Sequence, residues 1–200
     1  TTMGLQFIHE GATRFGERSP LQHAWSLAIE EQFYLVWPVV VLALGRRASS
    51  AVLRRRLLVV ALVGIAASGA ALVLRYDPNR DPLRAYYGTD TRVHALLLGA
   101  LLAALVNARP RLVGLGLGAQ RTLVAAGCVS FALLAVAMRT LDYFSPFLYH
   151  GGFVLVAALA AVVVLAAAQT GPNPLRRLLE WRPFRSLGRV SYGVYLWHWP

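Results

Sequence analysis

The sequence predicts an all-α protein, a polytopic transmembrane helix bundle with about six membrane segments. Hydrophobic residues make up 57% of the 200 residues and charged residues only 14%, whereas about a quarter of a soluble domain is charged. The apolar residues are also gathered into runs, several of which approach the roughly 20 residues that cross a bilayer core. The predicted segments are Ala24–Leu44, Leu57–Leu74, Val93–Val106, Thr122–Met138, Leu148–Ala168 and Leu187–Pro200.

The first segment begins with HAWSLAIEEQFYLVWP, residues 23–38, and carries two adjacent carboxylates. Glu30 and Glu31 are followed by an apolar run that has no charge before Arg46. Ionisable groups inside a membrane helix are costly, so they usually persist where they line a polar site. Carboxylates also suit the first turn of a helix at the water boundary. That second interpretation stays open for both residues, and more so for Glu31.

Helical spacing distinguishes the two carboxylates. Ser26, Glu30 and Tyr34 recur at i, i+4 and i+8 and therefore share one helix face, with His23 just above them. The face carries a hydroxyl, a carboxylate and a phenol, and it predicts one wall of a polar chamber. Glu31 lies about 100° around the same helix, beside leucines.

The next four segments differ in length and composition. The second is rich in small residues, and the spacing of Gly64 and Ser68, four apart, favours close packing against another helix. The third has only 14 strongly apolar residues. It either lengthens through residues 85–87 or lies against other helices in a thinned part of the bilayer. The fourth and fifth are close to spanning length and carry no distinctive motif.

Two further groups of polar residues lie at membrane boundaries. The stretch TDTRVHALLLGALLA places Asp90, Arg92 and His94 within five residues of each other. Arginine offers a fixed fork of donors and histidine can shuttle protons, so Arg92 and His94 are candidates for binding an anionic or hydroxyl-bearing group. The alternative is an interfacial arginine that extends to the lipid headgroups. In the last segment, SYGVYLWHWP places His198 between two tryptophans, where a buried histidine needs a partner.

The placement of arginine predicts the topology. All 20 basic residues are arginine, and the loops 45–56, 107–121 and 169–189 hold 13 of them with a single acid, Glu180. The other segments hold seven arginines and the eight remaining acids. The positive-inside rule therefore puts those three loops in the cytoplasm and the alternate loops outside. A nucleic-acid-binding protein would concentrate this charge on one soluble face, so no nucleic-acid partner is expected.

The motifs HAWSLAIEEQFYLVWP, TDTRVHALLLGALLA and SYGVYLWHWP, in this order, resemble the acyltransferase-3 family of integral-membrane acyltransferases. The resemblance implies a multi-pass enzyme of the cell (inner) membrane that contacts membrane lipid. It also implies that the enzyme binds no cofactor and uses acyl-CoA, typically acetyl-CoA, as its donor. The acceptor is expected to be a hydroxyl of an extracytoplasmic cell-envelope glycan or a lipid-linked saccharide.

The resemblance also assigns residues and bounds the domain. Residues 1–200 are expected to form a partial acyltransferase domain, the later half to two-thirds, with its last helix cut short. The family's presumed catalytic histidine and its cytoplasmic arginine pair fall outside this chain, so the chain alone is expected to be inactive. The catalytic candidates are Ser26, Glu30 and His198, and the substrate-binding candidates are Arg92, His94, His23, Trp25 and Tyr34; no metal site is expected.

A different class of function stays open at this point. In a transporter or flippase, Glu30 and Arg92 would form a gating or substrate site within the bundle. A membrane anchor without chemistry is the third possibility. Helices upstream that supply a histidine and an arginine favour the enzyme, whereas inverted repeats favour the transporter.

Overall fold

A computed structural model describes residues 25–197. This range is mostly helical and contains no β-strand, which confirms the predicted all-α helix bundle. A 3-10 turn at Pro110–Leu112 and a π turn at Leu148–Gly152 connect longer elements. The α-helices are α1 Trp25–Gly45, α2 Ser50–Arg75, α3 Leu83–Tyr87, α4 Thr89–Arg92, α5 His94–Ala108, α6 Leu117–Thr140, α7 Phe153–Ala167, α8 Pro174–Leu179 and α9 Arg182–Trp197.

Among the described residues, four helical stretches are long and apolar enough to cross a membrane: α1, α2, α6, and α7 together with the π turn before it. Helix α5 is apolar but shorter, with 15 residues. The chain is therefore a multi-pass membrane protein. The sixth predicted segment corresponds to α9, which begins at Arg182 rather than Leu187 and is not among these apolar helices.

The arginine-rich loops are shorter than the sequence predicts, because several arginines lie inside helices. Helix α2 begins at Ser50, where the Ser49 side chain accepts a hydrogen bond from the Val52 amide at 3.4 Å. Ser is a favoured N-cap and arginine is a good helix former, so residues 54–56 lie in the first turns of α2. Arg121 also lies inside a helix, α6, whose N-cap is Gly116.

Small residues bring the helices into close contact. A Cβ atom at Gly64 of α2 would lie 2.6 Å from a methyl carbon of Leu97 in α5, so the two helices approach too closely for a side chain there. A Cβ atom at Gly127 of α6 would overlap the Cβ atom of Ala166 in α7. The spacing of Gly64 and Ser68 thus predicts the packing of α2 correctly. Large apolar side chains such as Met138, 86% exposed, point away from the bundle and suit contact with lipid.

The stretch of residues 83–108, which includes the third predicted segment, contains three helices rather than one. Helices α3, α4 and α5 follow one another with breaks at Gly88 and Val93, so the alternative in which α5 lengthens through residues 85–87 is wrong. The Thr91 hydroxyl lies 2.7 Å from the Ala85 carbonyl oxygen and 2.8 Å from that of Gly88. This hydroxyl offers a donor to the Ala85 carbonyl in the last turn of α3, where carbonyls lack helical partners, whereas the Gly88 carbonyl also accepts from the Thr91 amide.

The two ends of the bundle have different chemistry. At the end that carries Arg92, an aromatic and ionic cluster joins the start of α1, the end of α2, α3, α4 and the start of α7. Its buried centre includes Leu72 and Tyr149, and the Tyr149 ring stacks on Tyr76 at 4.5 Å. At the opposite end, which carries Arg55, the buried Gln169 amide donates to the Leu112 carbonyl at 2.7 Å. We refer to these as the Arg92 end and the Arg55 end.

Candidate functional site

The Arg92 guanidinium lies among three aromatic rings. Its central carbon is 3.8 Å from the ring centroid of Phe153, 4.6 Å from that of Tyr86 and 5.2 Å from that of Trp25. All three distances fall within the range of cation–π attraction. The rings come from α7, α3 and α1, so three separate elements enclose one cation. Arg92 is thus packed within the bundle end rather than extended towards lipid headgroups.

The nearest acid in the chain does not neutralise Arg92. Arg84 Nη1 and Nη2 donate to the two Asp90 carboxylate oxygens at 2.9 and 3.2 Å, a bidentate pair. Arg75 at the end of α2 forms an ion pair with the same carboxylate. Among the described residues Arg92 makes no ion pair with an acid. Its positive charge is therefore held by aromatic faces and remains available to an anionic or hydroxyl-bearing group.

Burial is the main influence on the pKa of both Arg84 and Arg92. Burial lowers the pKa of Arg92 from its ordinary value, and the nearby tyrosines Tyr86 and Tyr149 act in the opposite direction. Burial, followed by the like charge of Arg75, lowers the pKa of Arg84. A guanidinium keeps its proton at neutral pH despite such shifts, so both side chains remain cations.

A tight turn holds Asp90 and Arg92 in place. Gly88 separates α3 from α4, and a Cβ atom there would lie 2.8 Å from Asp90 Oδ1 and 2.8 Å from Thr91 Oγ1. It would also overlap the Arg84 guanidinium. Any larger residue would have to displace the Arg84–Asp90 pair, so the turn requires glycine for space rather than for its backbone angles.

Helix α1 docks on this turn with the face that carries Trp25 and Gln32. The Trp25 ring lies 5.2 Å from Tyr86 and 4.9 Å from Tyr87, centroid to centroid. About two helical turns further along α1, Thr89 Oγ1 donates to Gln32 Oε1 at 3.0 Å. The rings of Tyr86 and Phe153 were not anticipated from the sequence. The adjacent tyrosines Tyr86 and Tyr87, in the polar stretch before the third predicted segment, were the available sequence signal for an aromatic cluster.

Ser26, which follows Trp25 in α1, contacts α9. Ser26 Oγ and the Tyr195 hydroxyl of α9 are 2.7 Å apart and form a hydrogen bond in which either atom can donate. Trp25 thus touches the Arg92 motif while Ser26 touches the SYGVYLW motif. The structure therefore brings together three motifs that are far apart in the sequence. His23 and His198, which flank these contacts along the chain, lie outside the described residues.

The rest of the α1 polar face is less enclosed. Glu30 is half-buried, Glu31 is exposed and Tyr34 is 57% exposed. None of the three forms a hydrogen bond or ion pair with another described residue. The half-buried position of Glu30 agrees with its sharing a face with Ser26. The chamber itself, and the catalytic and binding roles of this face, stay predictions.

His94 occupies a different environment from Arg92. It is 1% exposed, and its Nδ1 atom lies 3.2 Å from the Ser68 hydroxyl of α2. The His94 backbone amide donates to the same oxygen at 3.2 Å. The imidazole is thus enclosed between α2 and α5, and a substrate could touch it only if those helices separated. Its predicted role in substrate binding stays a prediction.

The arrangement at the Arg92 end suits recognition of a polar group. It provides a fixed cation with two-pronged hydrogen-bonding geometry beside flat apolar surfaces. Within residues 25–197, no three His, Cys, Asp or Glu side chains are grouped closely enough to hold a metal ion. The described side chains around Arg92 offer hydrogen bonding, positive charge and aromatic contact.

These motifs and this membrane architecture are those of a known family. Residues 5–200 match the family model described as an acyltransferase domain, so the chain belongs to the acyltransferase-3 family. It is 41% identical over 188 residues to the Bacillus subtilis (strain 168) protein named "Putative peptidoglycan O-acetyltransferase YrhL". It is 36% identical over 187 residues to the peptidoglycan O-acetyltransferase OatA of Listeria monocytogenes. It is 33% identical over 181 residues to the O-acetyltransferase OatA of Staphylococcus aureus.

The matches cover most of this chain but a minor part of each relative. They include 93% of the chain for the first two relatives and 90% for the third. The chain spans 29% of the length of each of these relatives. No solved structure matches it.

Proposed function

We propose that this chain is part of a cell-membrane O-acyltransferase that moves an acetyl group from acetyl-CoA to a hydroxyl of peptidoglycan or a related cell-envelope glycan. The observation that carries the proposal is the Arg92 guanidinium, held by aromatic rings at the Arg92 end without an acidic partner among the described residues. Membership of the acyltransferase-3 family and the names of the three relatives support the reaction class.

The environment of Arg92 suits a sugar acceptor. A glycan offers hydroxyl and carboxylate oxygens, which a guanidinium fork binds in two-pronged fashion. It also offers apolar ring faces, which aromatic side chains such as Trp25 can cover. The rings around Arg92 leave it partly buried, and burial strengthens the attraction between the guanidinium and an oxygen that gains negative charge. We assign Arg92 to holding the acceptor or to stabilising the tetrahedral oxyanion.

The reaction needs a base for the acceptor hydroxyl. A histidine, either His198 or the family histidine outside residues 1–200, takes the proton as the hydroxyl oxygen attacks the thioester carbonyl. The carbon–sulfur bond then breaks, and the CoA thiolate takes up the proton from the histidine. Ser26 and Glu30 lie on the helix that touches Arg92 through Trp25, and we assign them to orienting the base or the acceptor.

The topology predicted from arginine places donor and acceptor on opposite sides of the membrane. Acetyl-CoA is cytoplasmic and would enter from the Arg55 end, whereas the glycan would reach the Arg92 end from outside. The polar face of α1 runs from Ser26 inwards, and we assign it to the path between the two.

The direct experiment uses the full-length protein reconstituted in liposomes with radiolabelled acetyl-CoA and a soluble peptidoglycan fragment. We expect ester-linked acetate on the fragment, released by mild base, in an amount that grows with time. Movement of unmodified glycan across the membrane without acetylation would instead establish the transporter and contradict the proposal. Omission of the fragment is the control for hydrolysis of acetyl-CoA.

A further inference from the structure

A crevice of about 410 Å³ opens between α1 and α2 at the Arg55 end, far from the Arg92 site. The Arg56 guanidinium closes one side of it by donating from Nη1 to the Leu44 carbonyl oxygen at 2.8 Å. That contact links the last turns of α1 to the first turns of α2. The crevice is lined by Leu44, Val52, Arg55, Arg56, Val59 and Val60.

The accessible lining is almost wholly apolar, although two of the lining residues, Arg55 and Arg56, carry a positive charge. Val59 and Val60 lie one helical turn further into the span than Arg55 and Arg56, so charge and apolar surface are separated along the helix axis. Residues 45–56 contain five arginines and no acid. Among the described residues neither Arg55 nor Arg56 makes an ion pair. The crevice therefore has an apolar wall, with two arginines one helical turn nearer the end of a membrane-spanning helix.

We propose that this crevice binds an anionic phospholipid of the leaflet at the Arg55 end. The headgroup phosphate lies against Arg55 and Arg56, and one acyl chain runs along Val59 and Val60. Charge complementarity selects the phosphate, because guanidinium groups pair with it in two-pronged fashion. The apolar wall selects a lipid over a free phosphate compound, which would gain nothing from the valines. The site is independent of the proposed enzymatic function.

Helical geometry provides a matched control within the same run of arginines. Arg54 carries the same charge and lies at the same depth, but it is not part of the crevice lining. If basic residues attracted anionic lipid only diffusely, replacing Arg54, Arg55 or Arg56 would weaken lipid binding equally. If the crevice is a specific site, only replacement of Arg55 or Arg56 weakens lipid binding. Comparing these variants with the Arg54 variant therefore distinguishes the two explanations.

The experiment uses the full-length protein in neutral detergent, titrated with phosphatidylglycerol or with phosphatidylcholine of the same acyl chains. Native mass spectrometry measures the fraction of protein with one lipid bound. We expect phosphatidylglycerol to bind selectively, and the double variant Arg55→Gln, Arg56→Gln to weaken it about 25-fold, at about fivefold for each arginine. Arg54→Gln should change its affinity less than twofold. Val60→Trp, which fills the crevice and keeps every charge, should also weaken binding.

Four results would overturn the proposal. They are equal binding of the two lipids, an equal loss in Arg54→Gln, full binding in Val60→Trp, and displacement of the lipid by an excess of acetyl-CoA. The last would assign the arginines to a soluble phosphate compound. The melting temperature of each variant, measured in the same detergent, distinguishes lost lipid from a damaged fold.

Discussion

Asp90 lies two residues before Arg92 in the chain, yet its carboxylate pairs with Arg75 and Arg84 and not with Arg92. This division of partners has two consequences. Asp90 joins α4 to the end of α2 and to α3, which fixes the turn that carries Arg92. Arg92 in turn keeps its charge among aromatic rings and beside the Tyr86 hydroxyl, and it has no acidic partner among the described residues.

Replacement of Asp90 tests whether this pairing positions Arg92. In the full-length protein, Asp90→Asn keeps the shape of the side chain but leaves Arg75 and Arg84 close together without a counter-charge. We expect the free energy of unfolding to fall by about 1 kcal/mol, because the pair is partly exposed. We also expect the KM for the acceptor to rise, since a displaced α4 carries Arg92 with it.

The matched control for that change is Asp77→Asn, which removes a more exposed ion pair with Arg80 at 3.4 Å. Asp77→Asn should change the free energy of unfolding and the KM for the acceptor only slightly. Equal effects of the two variants, measured by thermal unfolding and by steady-state kinetics, would show that Asp90 has no special part in placing Arg92.

The contact between Ser26 and Tyr195 predicts a measurable coupling between the first and last motifs. A double-mutant cycle with Ser26→Ala and Tyr195→Phe, read by thermal unfolding of the full-length protein, should give a coupling energy of about 1 kcal/mol. The hydrogen bond of 2.7 Å is the physical reason. Additive effects would mean that α9 does not dock on α1 through these hydroxyls.

The two neighbouring carboxylates of α1 should differ in importance. Glu30 is half-buried on the Ser26 face and Glu31 is exposed. Glu30→Gln keeps the size of the side chain and removes its charge, so we expect it to abolish most acetylation at unchanged expression. Glu31→Gln should retain most activity. Acetate released from the cell wall by mild base gives the comparison, and a greater loss in Glu31→Gln would contradict the assigned face.

The arginine pattern predicts which loops face the cytoplasm. Ala48 and Asn173 are expected inside, and Asn79 and Ser145 outside. Cys128 is the only cysteine and is exposed, so it must first be replaced. Single cysteines at the four positions can then be labelled in intact cells with an impermeant thiol reagent. Labelling of position 48 but not of position 79 would show that the topology is the reverse of the predicted one.

The sequence predicts the helices better than it predicts the contacts between them. Apolar runs and glycine–serine spacing indicate where the helices lie and that α2 packs closely. The helix break at Gly88, ahead of the third predicted segment, was not predicted, because it depends on the space around Asp90 and Thr91 in the folded chain. Hydropathy alone cannot show such crowding.

The candidate site was predicted only in part, because contacts between distant parts of the chain do not show in the sequence. The charge and position of Arg92 at a membrane boundary are visible in the sequence, and the helical period pairs Ser26 with Glu30. The ring of Phe153 over Arg92 is not visible, because the two residues are 61 positions apart and meet only when α7 packs beside α4. His94, two residues from Arg92, faces Ser68 instead, since adjoining short helices turn neighbouring side chains in different directions.

The most direct test of the Arg92 site is the steady-state kinetics of Arg92 variants in the full-length enzyme at varied acceptor concentration. We expect Arg92→Gln to lower kcat/KM for the acceptor by about 10²–10³-fold, and Arg92→Lys to restore only part of it because lysine lacks the fork. Arg80→Gln, an exposed arginine in the same outer loop, is the control and should match the unmodified enzyme. The affinity for acetyl-CoA should stay unchanged in all three variants. An unchanged kcat/KM for the acceptor in folded Arg92→Gln would contradict the assignment of Arg92 to the acceptor site.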